Sequence, residues 1–227
     1  MTDTPKALWS ARLRDPRFRT IFFFGMASGL PSSLVFATLS IWLREEGISR
    51  TSIGLIGIVA TPYAINFLWA PLVDRMRLPV LCRRLGQRRS WIFLCQIALM
   101  PVVIAMGAQV PKTAALTLAA CALLVSFLSA TQDVAIDAYR VEILKPEEYG
   151  AGAAIAIYGW HTGAFLTGAG ALYVAAAGGW ALAYIVAAGI IGAISVATLF
   201  AREPDHPPEL SAPAAGAADW LRRAAVA

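Results

Sequence analysis

The run Ser129-Ala130-Thr131-Gln132-Asp133-Val134-Ala135-Ile136-Asp137-Ala138-Tyr139-Arg140 gathers ionisable and amide side chains at the end of a long apolar stretch. Asp133 and Asp137 are four apart, so a helix carries both on one face, with Gln132 adjacent. A carboxylate at membrane depth is costly and ordinarily faces a water-filled cavity or a partner cation. Two readings follow. The acids are a proton-binding or gate-forming pair in a transport path, or they are interfacial residues that snorkel or pair with Arg140 or Arg75. No nucleophile or metal-ligand cluster accompanies them, which excludes a hydrolytic dyad.

Asp74-Arg75 and Arg88-Arg89 bracket a short basic segment. A carboxylate and cations so placed can form a latch that breaks and reforms as a transporter changes state. Anchoring by basic residues accounts for many of the arginines without a latch, but not for Asp74, since acids contribute little to topology. His161 sits mid-way along an apolar run beside Trp160. Its ordinary titration near neutrality suits a proton carrier or ligand contact; a hydrogen-bonded packing histidine is the alternative. Asn66 is a polar candidate that can equally bond across a helix interface. Gly25 and Gly29, and Gly159 and Gly163, recur at the spacing that lets helices approach closely. No phosphate-cradling glycine loop and no Cys/His metal spacing is present, so neither nucleotide drive nor a metal site is expected. Cys82, Cys95 and Cys121 read as reduced thiols rather than a disulfide framework.

The elements that must hold these residues are membrane helices. Of 227 residues, 58% are hydrophobic and only 15% charged, against about 25% charged in soluble domains. That excludes disordered tails, secreted disulfide scaffolds and ordinary soluble enzymes. Uncharged runs cover 20–43, 51–73, 90–110 and 113–132, each past the ~18 residues that mark a spanning candidate. The run 149–201 lacks Asp, Glu, Lys and Arg over 53 residues. It is long enough for two spans, with Gly178-Gly179-Trp180 as the turn. Six spanning helices are therefore expected. Barrel strands would need alternating polarity, which these runs lack, and the first run is too long for a signal-peptide core.

Sixteen of the nineteen basic residues lie on the side that holds the N-terminus. Arg44, Arg50 and Lys112 lie on the other. The asymmetry places both ends in the cytoplasm. It also explains the net charge of +5 as a topology signal, with lipid rather than nucleic acid as partner. The expected organisation is a basic cytoplasmic segment at 1–19, a six-helix bundle at 20–201 and a Pro/Ala/Gly-rich cytoplasmic linker at 202–227.

Four motifs occur in order: Gly25-Met26-Ala27-Ser28-Gly29-Leu30-Pro31; Phe67-Leu68-Trp69-Ala70-Pro71-Leu72-Val73-Asp74-Arg75; Gln132-Asp133 through Asp137-Ala138-Tyr139; and Gly150-Ala151-Gly152-Ala153-Ala154. They resemble AmpG-type muropeptide permeases, in the peptide/acetyl-CoA transporter branch of the major facilitator superfamily. The resemblance implies an all-α membrane fold, the N-terminal six-helix bundle of a two-bundle transporter, with a second bundle not present in this chain. It implies a proton-driven importer of anhydro-muropeptides in the bacterial inner membrane, serving peptidoglycan recycling and beta-lactamase induction. The proton gradient would be the energy source, with no cofactor. Asp219-Trp220-Leu221-Arg222-Arg223 resembles the approach to the second bundle. Two positions depart from the family pattern. Asn66 stands where the family has Lys, and His161, in Gly159-Trp160-His161, where it has Arg. A substrate bearing carboxylates would miss those cations, which keeps another solute open, such as a siderophore or an acyl-CoA-like compound. A non-transporting remnant or scaffold is the further alternative.

Overall fold

The computed structural model describes residues 12, 14–49 and 56–204. Lys6, Arg50, the first residues of the 51–73 run and the linker residues 205–227, with Asp219 to Arg223, lie outside the described residues.

Every regular element among the described residues is helical. α1 (Pro16–Ser33) begins with Asp15 accepting the Arg17 N–H as its cap and Pro16 at the first helical position, both favoured at a helix start. It runs through a π-turn (Leu34–Thr38) into α2 (Leu39–Glu45). Pro31 lies inside α1 just before that turn, where a missing N–H and a ring clash disturb the ladder. The second apolar run departs from a regular span. It is a chain of short pieces: 3-10 turns at Ile56–Ala60 and Asn66–Leu68, α3 (Thr61–Ile65) and α4 (Ala70–Arg75). Pro62 and Pro71 each sit at the start of a piece. α5 (Cys82–Leu85) leads through Gly86 to α6 (Gln87–Gly107), then α7 (Ala115–Ile143). A 3-10 turn at Pro146–Glu148 opens α8 (Tyr149–Thr167), and α9 (Ala169–Phe200) follows.

Four stretches are long and apolar enough to cross a bilayer: Pro16–Glu45, Gln87–Gly107, Ala115–Ile143 and Pro146–Phe200. The last holds 55 residues, far more than one crossing needs. It reverses at Gly179, whose φ of 82° and ψ of 169° no longer belong to a helix. Only glycine reaches that backbone region without strain, so the turn expected at Gly178-Gly179-Trp180 is where the sequence puts it. A second break, at Gly168 (φ −84°, ψ −90°), was not foreseen.

Contacts fix the directions. Arg17 meets Glu148 and Thr167 meets Leu30, so α1 and α8 run parallel. Beyond Gly179, Tyr184 lies against Gly107 and Thr198 against Gln96, so this half of α9 runs antiparallel to α6. One end of the bundle thus gathers Arg17, Asp74, Arg88, Glu142, Glu148 and Glu203. The other gathers Glu45, Gly107 and Trp180, where Trp42 stacks on Trp180 at 5.8 Å.

The expected close approach occurs between α1 and α8. A Cβ on Gly25 would fall on the carbonyl oxygen of Ala156, and one on Gly29 on that of Trp160. Reciprocally, Gly159 abuts the carbonyl of Phe22 and Gly163 that of Met26. Thr38 donates to the Thr167 carbonyl at 2.5 Å, satisfying an acceptor left free by the break at Gly168. Phe24, Leu30, Leu34, Ile92, Leu99, Val103, Ala122, Val125, Tyr139 and Tyr184 share one contiguous core.

Candidate functional site

α7 supplies the centre of the site, and its two acids separate. Asp133 is half-buried with Oδ1 enclosed and without a partner. Ser28 of α1, Tyr63 of α3 and Cys95 of α6 face it. Ser28 lies within hydrogen-bonding reach of the Asp133 carboxyl and Tyr63 within reach of Ser129, while the Tyr63 and Ser129 hydroxyls and Asp133 Oδ1 make no full hydrogen bond in the protein. Asp137 is exposed and pairs with Arg140 at 3.0 Å. The shared helical face is real, but one turn further on that face is uncovered, while Ile136 and Tyr139 keep the other side of α7 in the core. The expectation of a joined pair therefore resolves into one interior carboxylate and one surface ion pair, the latter among the alternatives the sequence left open. Gln132 is fully buried, and its amide donates to the Ala27 carbonyl of α1 at 2.9 Å.

The broken second segment is held to α7 by Trp69, whose indole N–H donates to Thr131 at 3.1 Å, and whose ring lies 5.0 Å from that of Phe127. Asn66 opens the 3-10 turn Asn66–Leu68 and is half-buried. His161 lies on the exposed side of α8, edge-on to Trp160 at 5.0 Å. Neither residue is brought to the Asp133 cluster.

The charged end has its own centre. Arg88 is 5% exposed, and a buried guanidinium must be paired to be tolerated. It holds Asp74 at 2.6 Å and Glu142 at 2.5 Å, the latter through two nitrogens. Glu203 accepts the backbone N–H groups of Arg88 and Arg89, capping the start of α6. Arg89 in turn donates to the last carbonyls of α9, at Thr198 and Leu199. A carboxylate at a helix start and a cation at a helix end both complement the helix dipole. Gly86, at φ 81°, leaves room for Glu203. Arg75 is exposed and Arg140 half-buried, both outside this network. Nearby, Arg17 bridges Asp15 at 2.7 Å and Glu148 at 2.9 Å. Its side-chain hydrogen bond holds the Asp15 carboxyl below the ordinary value. The sequence pointed to Asp74, Arg88 and Arg89 but missed Glu142 and Glu203. Their signal was an acid at the end of each apolar run facing the Arg88-Arg89 end.

A family model described as acetyl-coenzyme A transporter 1 matches residues 18–178. The chain is 38% identical over 192 residues to the anhydromuropeptide permease of Escherichia coli (strain K12), covering 84% of this chain and 38% of that protein. It is 37% identical over 189 residues to the Rickettsia felis protein designated "Putative transporter AmpG 4", covering 82% and 45%. A Haemophilus influenzae protein of uncharacterized role is 38% identical over 183 residues, covering 80% and 42%. The chain spans less than half the length of these curated relatives.

Proposed function

The chain belongs to the acetyl-coenzyme A transporter/AmpG family of the major facilitator superfamily, and from that premise we propose that it forms a six-span bundle of a proton-coupled importer of anhydro-muropeptides. The spans are the helical passes described above together with the broken segment 56–75. By the charge asymmetry of the sequence, the end that holds Arg88 faces the cytoplasm of a bacterial inner membrane, with both termini on that side. Asp133 is the proton-binding group. The observation that carries this reading is one carboxylate enclosed among four segments at membrane depth, with an oxygen no protein group satisfies. Arg88 with Asp74 and Glu142 is the cytoplasmic latch. It is a two-state element whose ion pairs can part when the bundle changes state.

Because the relatives are more than twice as long as the stretch they share with this chain, we assign translocation to this bundle paired with a second one, the substrate lying between them. The product of such import feeds peptidoglycan recycling and, through it, beta-lactamase induction. The test is uptake of labelled anhydro-muropeptide into membrane vesicles under an imposed proton gradient, with this chain alone and with a second bundle supplied. Gradient-dependent uptake that is lost in Asp133→Asn supports the reading. Its absence in both arrangements rejects it and leaves the non-transporting scaffold.

Asn66 and His161 favour a second reading within the same family. Neither is a permanent cation, so a solute with fewer carboxylates, or an acyl-CoA-like or siderophore solute contacting the aromatic face around Tyr158 and Trp160, fits them better. Competition of uptake by such compounds, with anhydro-muropeptide failing to compete, would favour it.

A further inference from the structure

Ser126, Ser129 and Asp133 recur at i, i+3 and i+7, so one face of α7 carries all three. Both serines are fully buried, and neither hydroxyl has a hydrogen-bond partner in the protein. They do not even bond back to the preceding turn, the usual resort of a buried hydroxyl in a helix. Thr131 on the same helix does so, to Phe127, and Thr198 does so on α9, to Ile194. The Tyr63 hydroxyl reaches the same stripe from α3. It faces Ser129 and Asp133 and is likewise buried and unpartnered. The ring of Phe36 holds it there, at 5.7 Å.

Tyr63 Oη lies within reach of Ser129 Oγ, and Ser126 continues the same face of α7, yet Tyr63 Oη, Ser126 Oγ, Ser129 Oγ and Asp133 Oδ1 are all buried without a full hydrogen bond in the protein. Leaving a buried polar atom unpaired costs more than a made hydrogen bond contributes, and native proteins leave few. Bound water resolves such a cluster when two to four polar groups surround it. The stripe extends about 10 Å along the helix, enough for more than one molecule. Apolar Leu118, Ala122 and Val125, all buried, close α7 beyond Ser126. The ionisable groups facing Asp133 are Tyr63 and Cys95 from the neighbouring segments and Asp137 from its own helix.

We propose that Tyr63, Ser126, Ser129 and Asp133 form an internal water site between α3 and α7, which hydrates the Asp133 carboxyl and carries its proton. A proton arriving along the water is taken up by the carboxylate and leaves by the same hydroxyls; no other bond changes. The three hydroxyl residues are positioning residues that act through the water. The role in coupling rests on the reading of Asp133 above, whereas the existence of the site does not.

The test uses the full chain in lipid nanodiscs, with Ser126→Ala, Ser129→Ala and Tyr63→Phe made singly. Thermal unfolding gives opposite signs for the two physical cases. Removing a dry, unpaired hydroxyl raises Tm; removing a water ligand lowers it. The site requires Tm to fall in all three, and a rise overturns it. Infrared spectra taken where the Asp133 carboxyl is protonated, with its band assigned by loss in Asp133→Asn, give the second readout. After transfer to deuterated water the band of the unmutated chain should shift within seconds, and at least tenfold more slowly in Ser129→Ala and Tyr63→Phe. Exchange over hours in the unmutated chain overturns the site even where a variant fails to fold. Uptake that stays gradient-dependent in Asp133→Asn would instead remove the coupling role and leave the water site standing.

Discussion

Replacing Gly159 by alanine adds one methyl group where α8 rests on the backbone of α1. The new Cβ would fall on the Phe22 carbonyl oxygen, with the Phe22 carbonyl carbon at 3.0 Å and the Met26 nitrogen at 3.1 Å. These atoms belong to a helix and cannot turn aside as a side chain can. Carbon contacts settle near 3.5–4.0 Å, so the two helices must part by about 1 Å locally. Parting also stretches the cross-bond from Thr167 to the Leu30 carbonyl, at 2.9 Å. Overpacking of this kind costs about 1–3 kcal/mol. Gly150 in the same helix provides the control, since a Cβ there meets nothing within 4 Å. Gly150→Ala should gain up to ~1 kcal/mol of helix propensity. The propensity gain is common to both positions, so the two variants should differ by the overpacking cost, about 1–3 kcal/mol. At roughly 2–4 °C per kcal/mol for a chain of this size, Tm should differ by about 2–12 °C. The assay is thermal unfolding of both variants in the same detergent. A Gly159→Ala Tm equal to or above that of Gly150→Ala would refute the argument that backbone contact holds α1 to α8.

At the charged end, Glu142→Gln should destabilise more than Asp74→Asn, because the Glu142 side chain is 11% exposed and that of Asp74 47%. Leaving the buried Arg88 short of a partner costs about 3–5 kcal/mol, and chemical unfolding of the two variants would show the order. Gly179→Ala should cost about 1–3 kcal/mol, the strain of a side chain at its backbone angles; a Tm unchanged from the parent would mean that the turn can refold around alanine. In the uptake assay, His161→Gln should change the profile of competing solutes if the exposed imidazole contacts substrate. An unchanged profile removes His161 from the substrate path.

The passes were readable because the core-facing side and the exposed apolar side alike leave no place for charge, and runs without charge mark their own ends. The reversal at Gly179 was readable for a related reason, since 53 uncharged residues cannot be one crossing and a Gly-Gly pair offers the backbone freedom to turn. The second segment misled for a reason also physical. Residues 51–73 are as apolar as the others, but apolarity specifies depth, not regularity. Pro62 and Pro71 withhold N–H groups from the ladder, and the structure answers with 3-10 turns between short α pieces. The break at Gly168 had a lone glycine as its only signal, and most glycines in this chain sit in unbroken helix.

Side-chain partnerships were the least readable part of the site, because spacing on one helix reports direction around its axis and nothing about where the neighbouring helices end. Asp133 and Asp137 differ by about 6 Å along α7, and that step takes the chain from an interior enclosed by α1, α3 and α6 to a surface where Asp137 meets Arg140. The same logic runs in the other direction. Ser129 is unremarkable in an apolar run until Tyr63, from an element over sixty residues earlier, turns its hydroxyl toward it. Arg88 could be singled out from its neighbours only as one of a basic pair, while its burial depends on Glu142 and Asp74 arriving from two other elements. Where an ionisable group pairs within its own helix, sequence spacing finds the pair. Where the pairing crosses between helices, the sequence shows one partner and the fold must supply the other.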